Sequence, residues 1–243
     1  MILFIDSGNT RAKWRLVRGA GECLEGSGPN STSGLLSELS GYGPELLRVV
    51  VSTVGSEEAV AALKRDIEAI TDAPAIFHWA ERTRFGLHNS YSQVTKMGAD
   101  RWHAMVAAWH LSRRGLAVID AGSAVTIDYV DDRGRHLGGY ILPGLQMMRR
   151  SLKVDAARIG FSYTDQLDTR PGNNTSECTN NGLAWMNLAL IERIQKDVER
   201  YGLYDVFVTG GDADRLLAQG LKAVHRPGLV FDGLALIDQA EAG

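Results

Sequence analysis

Two aspartates each close a short apolar run and open a glycine-containing turn. Asp6 follows Ile2-Leu3-Phe4-Ile5 in Asp6-Ser7-Gly8-Asn9-Thr10, and Asp120 follows Leu116-Ala117-Val118-Ile119 in Asp120-Ala121-Gly122-Ser123. Glycine in such a turn lets consecutive backbone N–H groups face an anion with no side chain in the way. A carboxylate in the same place repels phosphate. Its chemistry is to hold a cation that in turn meets the phosphates, as Mg²⁺ does at nucleotide sites. Lys13, on the segment that returns from the first turn, can reach the same phosphates as a point charge. A third apolar run ends in Thr209-Gly210-Gly211-Asp212. One Asp-x-Gly-Asn is an ordinary turn, but two Asp-x-Gly-(Asn/Ser) turns at matching places, with Thr209-Gly210-Gly211-Asp212 after a third strand, point to nucleotide chemistry. The chain contains neither G-x-x-x-x-G-K-[ST] nor G-x-G-x-x-G, so the P-loop and the dinucleotide fingerprint are both excluded.

A second constellation is Gly98-Ala99-Asp100-Arg101. Gly98 allows a ligand close to backbone. Asp100 at the start of a helix suits the helix dipole whether or not it has a further role. Beside a phosphate cleft it could also take a proton from a substrate hydroxyl, with Arg101 holding a substrate carboxylate by two prongs. Other residues ask for less. His103 and His110 lie on one amphipathic helix and read as packing or surface residues, and Trp102 and Trp109 as core. Cys178 has no His or Asp pattern around it to make it a nucleophile. The Asn-x-Ser/Thr matches at Asn30, Asn173 and Asn174 carry no meaning without a secretory signal.

The elements that must position these residues follow from hydrophobic period and turn chemistry. Residues 2–5 and 12–17 read as strands joined by the first turn, with a hairpin at Gly19-Ala20-Gly21. Residues 26–33 read as a loop, 35–39 as a short helix, 46–52 as a buried strand, and 56–70 as a helix capped by Ser56. A helix spans 99–114. Strands follow at 116–119, 127–130 and 135–142, then a helix over 145–154, an irregular polar stretch 155–174, and a long helix from Thr175 to about Tyr201. A strand at 206–208 and a short helix at 234–239 close the chain. The order three strands, helix, strand, helix occurs twice, once behind each Asp-x-Gly turn. That weak repeat predicts an α/β protein made of a duplicated unit, the two turns facing across a cleft. The boundary is expected within 95–115, giving an N-terminal half 1–100 and a C-terminal half 101–243.

Composition narrows the partners. The chain has 243 residues, 44% hydrophobic and 23% charged, enough to bury a core. Lys+Arg 26 against Asp+Glu 29 gives a net charge of −3, which speaks against nucleic acid and membrane surfaces. No apolar run approaches the ~20 residues of a membrane span. Cys23 and Cys178 show no ligand spacing, excluding a disulfide scaffold and a structural zinc site. A soluble, cytoplasmic protein is expected.

Taken in order, these motifs resemble those of type III pantothenate kinases, members of the acetate kinase/sugar kinase/Hsp70/actin superfamily. The resemblance is carried by Asp6-Ser7-Gly8-Asn9-Thr10-Arg11-Ala12-Lys13, Gly98-Ala99-Asp100-Arg101-Trp102, Asp120-Ala121-Gly122-Ser123-Ala124-Val125-Thr126, Gly138-Gly139-Tyr140-Ile141-Leu142-Pro143-Gly144, Asn174-Thr175 and Thr209-Gly210-Gly211-Asp212. It covers essentially the whole chain and implies a duplicated actin-like ATPase (ribonuclease H-like) fold. The implied reaction is ATP-dependent phosphorylation of pantothenate at its 4′-hydroxyl, the first committed step of coenzyme A biosynthesis.

The resemblance also implies residue roles. Asp6, Ser7, Gly8, Asn9, Thr10, Arg11, Ala12 and Lys13 bind ATP, with Asp6 on its Mg²⁺. Ser123, Gly210 and Gly211 are further ATP contacts. Asp100 is the general base, and Tyr91, Gly98, Ala99, Asp100 and Arg101 bind pantothenate. Thr175 reaches pantothenate from the other subunit of a homodimer. Asp120 holds a monovalent cation, K⁺ or NH₄⁺. Ser123 stands where Thr is usual, so the hydroxyl and the N–H survive. Two other readings remain: a superfamily kinase or phosphatase acting on a sugar, acetate or polyphosphate, and a non-catalytic regulator on the same scaffold. The Asp100-Arg101 pair disfavours a neutral sugar, and the intact set Asp6, Lys13, Asp100 and Asp120 disfavours a dead enzyme.

Overall fold

The computed structural model describes residues 1–19, 22–29, 36–155 and 160–242. The chain forms two compact units, Met1–Leu111 with Gly228–Gly243, and Ser112–Pro227. The first contains β1 (Ile2–Ser7), β2 (Arg11–Arg18), β3 (Glu22–Pro29), β4 (Arg48–Thr53), α1 (Glu57–Glu68), β5 (Ala75–His78), a small hairpin β6 (Thr83–Arg84) and β7 (Leu87–His88), and α2 (Ala99–Ser112). The second contains β8 (Leu116–Ala121), β9 (Ala124–Val130), β10 (His136–Pro143), α3 (Leu145–Asp155), α4 (Thr175–Arg200), β11 (Asp205–Thr209), α5 (Ala213–Ala218) and β12 (Val224–His225). The last helix, α6 (Leu229–Ala242), returns to the first unit.

The duplication is visible in the sheets. One has strand order β3-β2-β1-β4-β5 and the other β10-β9-β8-β11-β12. In each, an antiparallel meander of three strands is extended by two strands parallel to its first. The central strands are near-continuous apolar runs because both faces are covered. On one face Leu3, Ile5, Val49 and Val51 pack with Leu63 and Ile67 of α1. On the other, Phe4 and Val50 pack with Phe231 and Leu234 of α6. Two ion pairs fix α6 to that face: Arg15 Nη1 to Asp232 Oδ1 at 2.8 Å, and Arg48 to the buried Asp238 carboxylate through Nε at 3.0 Å and Nη2 at 2.6 Å. The second unit builds its core from Ala117, Ile119, Ile127 and Val208 against Ile191 and Ile194 of α4.

Several expectations are corrected. Residues 26–29 are not loop: they pair with β2 to the end of β3, and 30–33 lie outside the described residues. Gly26 is needed there because a side chain would run into the indole of its cross-strand partner Trp14. In the hairpin read at 19–21, Gly19 has φ +54° and Ala20 and Gly21 lie outside the described residues. Of the short helix read at 35–39, Leu35 lies outside them, and Ser37–Glu45 forms a 3₁₀ stretch. The closing helix is longer than 234–239. Gly233 does not break it, since the missing side chain is what lets α6 lie against the His103 carbonyl of α2. The units do not fall at 1–100 and 101–243, because residues 101–111 of α2 and all of α6 belong with the first unit. Of the irregular stretch 155–174, Asp155 ends α3, 160–174 form neither helix nor strand, and 156–159 are outside the described residues.

Candidate active site

In the first unit the turn after β1 is closed by Gly8 N donating to Arg11 O at 3.0 Å, and a side chain at Gly8 would crowd that carbonyl. Asp6 is half-buried and Ser7 buried, Asn9, Thr10 and Arg11 are exposed, and Ala12 is buried. Arg11 turns to β3, donating to Ser27 Oγ at 3.0 Å. Asp6 pairs across the antiparallel ladder with Lys13 and across the parallel ladder with Ser52, which pairs with His78. Directly opposed residues share a face, so Lys13, Asp6, Ser52 and His78 form one polar row. Ser52 is held from α2 by His103, Nδ1 to Oγ 2.8 Å. Burial, with His78 nearby, pushes the His103 imidazole down to about 3, so it is neutral. His103 is thus a packing residue as read from sequence, and His110 is exposed, edge-on to Phe85. Trp102 and Trp109 are buried.

The start of α2 carries the second set. A side chain at Gly98 would meet the Asp100 carboxylate, whose Oδ1 accepts the Arg101 N–H at 2.7 Å. Gly98 O caps the first turn by accepting from Trp102 N at 3.2 Å. Asp100 is half-buried in the first turn of α2, where the helix dipole attracts negative charge. Ala99 and Arg101 are buried, and Arg101 is unusual in being a charged side chain only 6% exposed. Its Nη1 donates to the Tyr91 hydroxyl at 2.8 Å, and its guanidinium lies 5.7 Å from the centre of that ring. A base candidate and an aromatic-backed anion receiver therefore sit on adjacent residues of one rigid turn.

In the second unit Asp120 pairs with Thr126 on β9 and Thr209 on β11, the same layout with Thr126 where the first unit has Lys13 and Thr209 where it has Ser52. Its turn is closed by Gly122 N to Ala124 O at 3.0 Å. The start of α3 abuts it: Gly144 N donates to Ser123 O at 3.0 Å, and a side chain at 144 would collide with the Gly122 and Ser123 carbonyls. Gly210, at φ +93°, passes so close that a side chain would strike the Ala121 carbonyl and the Asp120 carboxylate. Asp212 N donates to Ala121 O at 2.8 Å, and burial raises the Asp212 carboxyl against the pull of Arg215 and Arg149. Ser123 and Gly211 are exposed. Thr175 is exposed at the first position of α4, after Asn174 caps the helix by accepting from Glu177 N at 3.0 Å.

Sequence reading gave no site role to Ser52 or to the two residues behind Tyr91, Arg82 and Asn89, and it quoted Gly144 only within a motif. Ser52 had a signal: like Asp6, it ends an apolar strand on a polar side chain. Arg82 had none. As for metals, no three His, Cys, Asp or Glu side chains gather as a ligand set among the described residues. Asp6 and Asp120 each offer carboxylate oxygen, the donor that hard cations take. Among the described residues, no helix is long and apolar enough to cross a membrane.

The paired sheets have known counterparts. A Campylobacter jejuni structure provisionally named a Baf family transcriptional activator superposes with a TM-score of 0.63 at 20% identity, covering 99% of this chain and 98% of that one. A Sinorhizobium meliloti structure provisionally named 2-dehydro-3-deoxygalactonokinase gives 0.58 at 15% identity, covering 99% of each. The fold is the duplicated actin-like ATPase fold shared with sugar kinases. Sequence comparison narrows this to one branch. The model of the type III pantothenate kinase family matches residues 2–197. A type III pantothenate kinase of Marinobacter nauticus is 58% identical over 99% of both chains, and one of Alcanivorax borkumensis is 36% identical over 96% of this chain and 97% of its own. The chain belongs to the type III pantothenate kinase family and is a kinase.

Proposed function

We propose that the protein transfers the γ-phosphoryl group of ATP to the 4′-hydroxyl of pantothenate, giving 4′-phosphopantothenate and ADP, the first step of coenzyme A biosynthesis. The observation that carries the reading is the pair Asp100-Arg101 with Tyr91 behind it. Pantothenate offers one primary hydroxyl and one carboxylate, and this turn offers one base and one buried guanidinium. Asp100 accepts the hydroxyl proton as the oxygen bonds to Pγ and the bond from Pγ to the bridging oxygen of ADP breaks in line. No covalent intermediate on the protein is needed, because phosphoryl transfer asks mainly for positioning and charge neutralisation. Arg101 supplies the first by fixing the carboxylate end, with Gly98 and Ala99 giving backbone room.

Residues 6–13 bind the phosphates, Lys13 as the point charge opposite Asp6. Ser123, Gly210 and Gly211 contact the nucleotide from the second unit. Asp6 would hold the Mg²⁺ that accompanies ATP, and Asp120, flanked by hydroxyls rather than an ammonium, would hold K⁺ or NH₄⁺. When bound, these cations neutralise charge on the phosphates. A homodimer accompanies this reading, with Thr175 of one copy serving the other. In support, α4 exposes Trp185 and Met186 to solvent, at 60% and 51%. Small polar substrates go with a cytoplasmic location.

The test is ADP release from ATP, Mg²⁺ and pantothenate, in K⁺ and then in Na⁺. Turnover needing both pantothenate and K⁺ supports the substrate and the role of Asp120, and turnover indifferent to K⁺ removes only the cation site. Asp100→Asn is expected to lower kcat by about 10²–10⁴, the usual worth of a general base, with thermal unfolding unchanged. Full activity in that variant would overturn the base assignment.

A further inference from the structure

We infer that Arg82, with Asn89, is a positioning residue for the acid-binding end of the substrate site, acting through Tyr91 on Arg101. The inference deepens the reading of Arg101 and Tyr91 given above and rests on it. The Arg82 guanidinium gathers three backbone carbonyls. Nη1 donates to Asn89 O at 3.1 Å and to Tyr91 O at 2.7 Å, and Nη2 donates to Ser92 O at 3.1 Å. A guanidinium presents its donors in a rigid planar fork, so carbonyls that converge on it take a defined spacing. Residues 89–92 belong to no sheet or helix, and this fork stands in for the missing ladder.

Asn89 closes the bracket from inside. It is only 4% exposed, its Nδ2 donates to Glu81 O at 3.1 Å, and its Oδ1 accepts from Tyr91 N at 3.0 Å. Its own N–H donates to Arg82 O at 3.0 Å. The base of the bracket, the β6–β7 hairpin, is fixed in turn. Arg84 pairs with Glu81 and with Glu241 of α6, and Trp109 of α2 donates to Phe85 O at 3.2 Å. The end of this chain of contacts is the Tyr91 hydroxyl against Arg101. Arg82 bonds to loop carbonyls rather than to the proposed base or turn glycines. Its loss should therefore change how the substrate acid is held and leave the phosphate end alone.

The experiment is steady-state kinetics of wild type, Arg82→Ala, Arg82→Lys, Tyr91→Phe and the double variant Arg82→Ala/Tyr91→Phe, with pantothenate and ATP varied separately. Arg82→Ala is expected to raise the KM for pantothenate about tenfold, the worth of one charge-assisted hydrogen bond, with the KM for ATP unchanged. Added guanidinium ion should restore part of the loss. The double variant should be no worse than the poorer single one, because both changes cut the same chain of contacts. Arg82→Lys, which keeps the charge but not the fork, should show a smaller rise and carries the test if the alanine variant does not fold. An unchanged KM for pantothenate, an equal rise for both substrates, or additive losses with Tyr91→Phe would each overturn the inference. Failure of the wild type to use pantothenate would overturn the functional reading itself, and is seen before any variant is made.

Discussion

Equivalent aspartates in the two sheets have different partners across the ladder, and in the function proposed above that difference separates their roles. Asp6 lies opposite Lys13 in its ladder, and Asp120 lies opposite Thr126. A carboxylate–ammonium pair meets a metal–phosphate group with both signs, whereas a carboxylate among hydroxyls offers only oxygen to a cation. His103 makes a prediction at the same scale. Its folded form is neutral, with the imidazole pushed down to about 3 from an ordinary 6.5. The unfolded chain therefore takes up a proton that the folded chain refuses, so stability is fully present above about pH 6.5 and is lost as pH falls toward 3. Between pH 7 and pH 5 one such proton costs about 2 kcal/mol. Urea unfolding at the two pH values should show that loss in wild type and its absence in His103→Asn, whose amide replaces the Nδ1 contact to Ser52. An equal loss in both would remove His103 as the group responsible.

Among the elements, α6 is the one whose attachment has a clear electrostatic logic. Arg48 reaches Asp238, which is 2% exposed, with two nitrogens. Removing the arginine alone strands a buried carboxylate, so Arg48→Met is expected to cost about 3 kcal/mol in urea unfolding. Arg48→Met/Asp238→Leu should recover most of that, since replacing both partners removes the stranded charge. A double variant as unstable as the single one would show that the pair does more than neutralise itself. The elements also explain what could be read in advance. Both Asp-x-Gly turns, the strands before them and the Ser56 cap were legible because each depends on neighbours in sequence. Ser56 Oγ does accept from Ala59 N, at 3.3 Å. Gly26 misled because its reason is Trp14 across the ladder, and Gly233 has its reason in the His103 carbonyl on another helix, which no sequence pattern shows. Arg82 was invisible for the same cause: its partners are carbonyls, which every residue has. Of the candidate site, Asp6, Asp100 and Asp120 stand out in the sequence from their turns, but the contact of Tyr91 with Arg101 exists only in the folded chain.

For the molecule as a whole, the duplication is of sheets and not of chain halves. The second unit is one continuous stretch, Ser112–Pro227, while the first is made of Met1–Leu111 and Gly228–Gly243. Deleting residues 228–243 removes the cover of Phe4 and Val50 and the α6 carboxylates that pair with Arg15 and Arg48. The shortened chain is expected to lose the first unit selectively: hydrogen exchange of β1 and β4 amides should become fast while β8 and β11 stay protected. Equal protection in both sheets would mean that α6 is dispensable. On the ribosome the same arrangement imposes an order of events. Ser112–Pro227 is complete before Gly228–Gly243 is made, so β1 keeps one apolar face uncovered until α6 follows it from the ribosome.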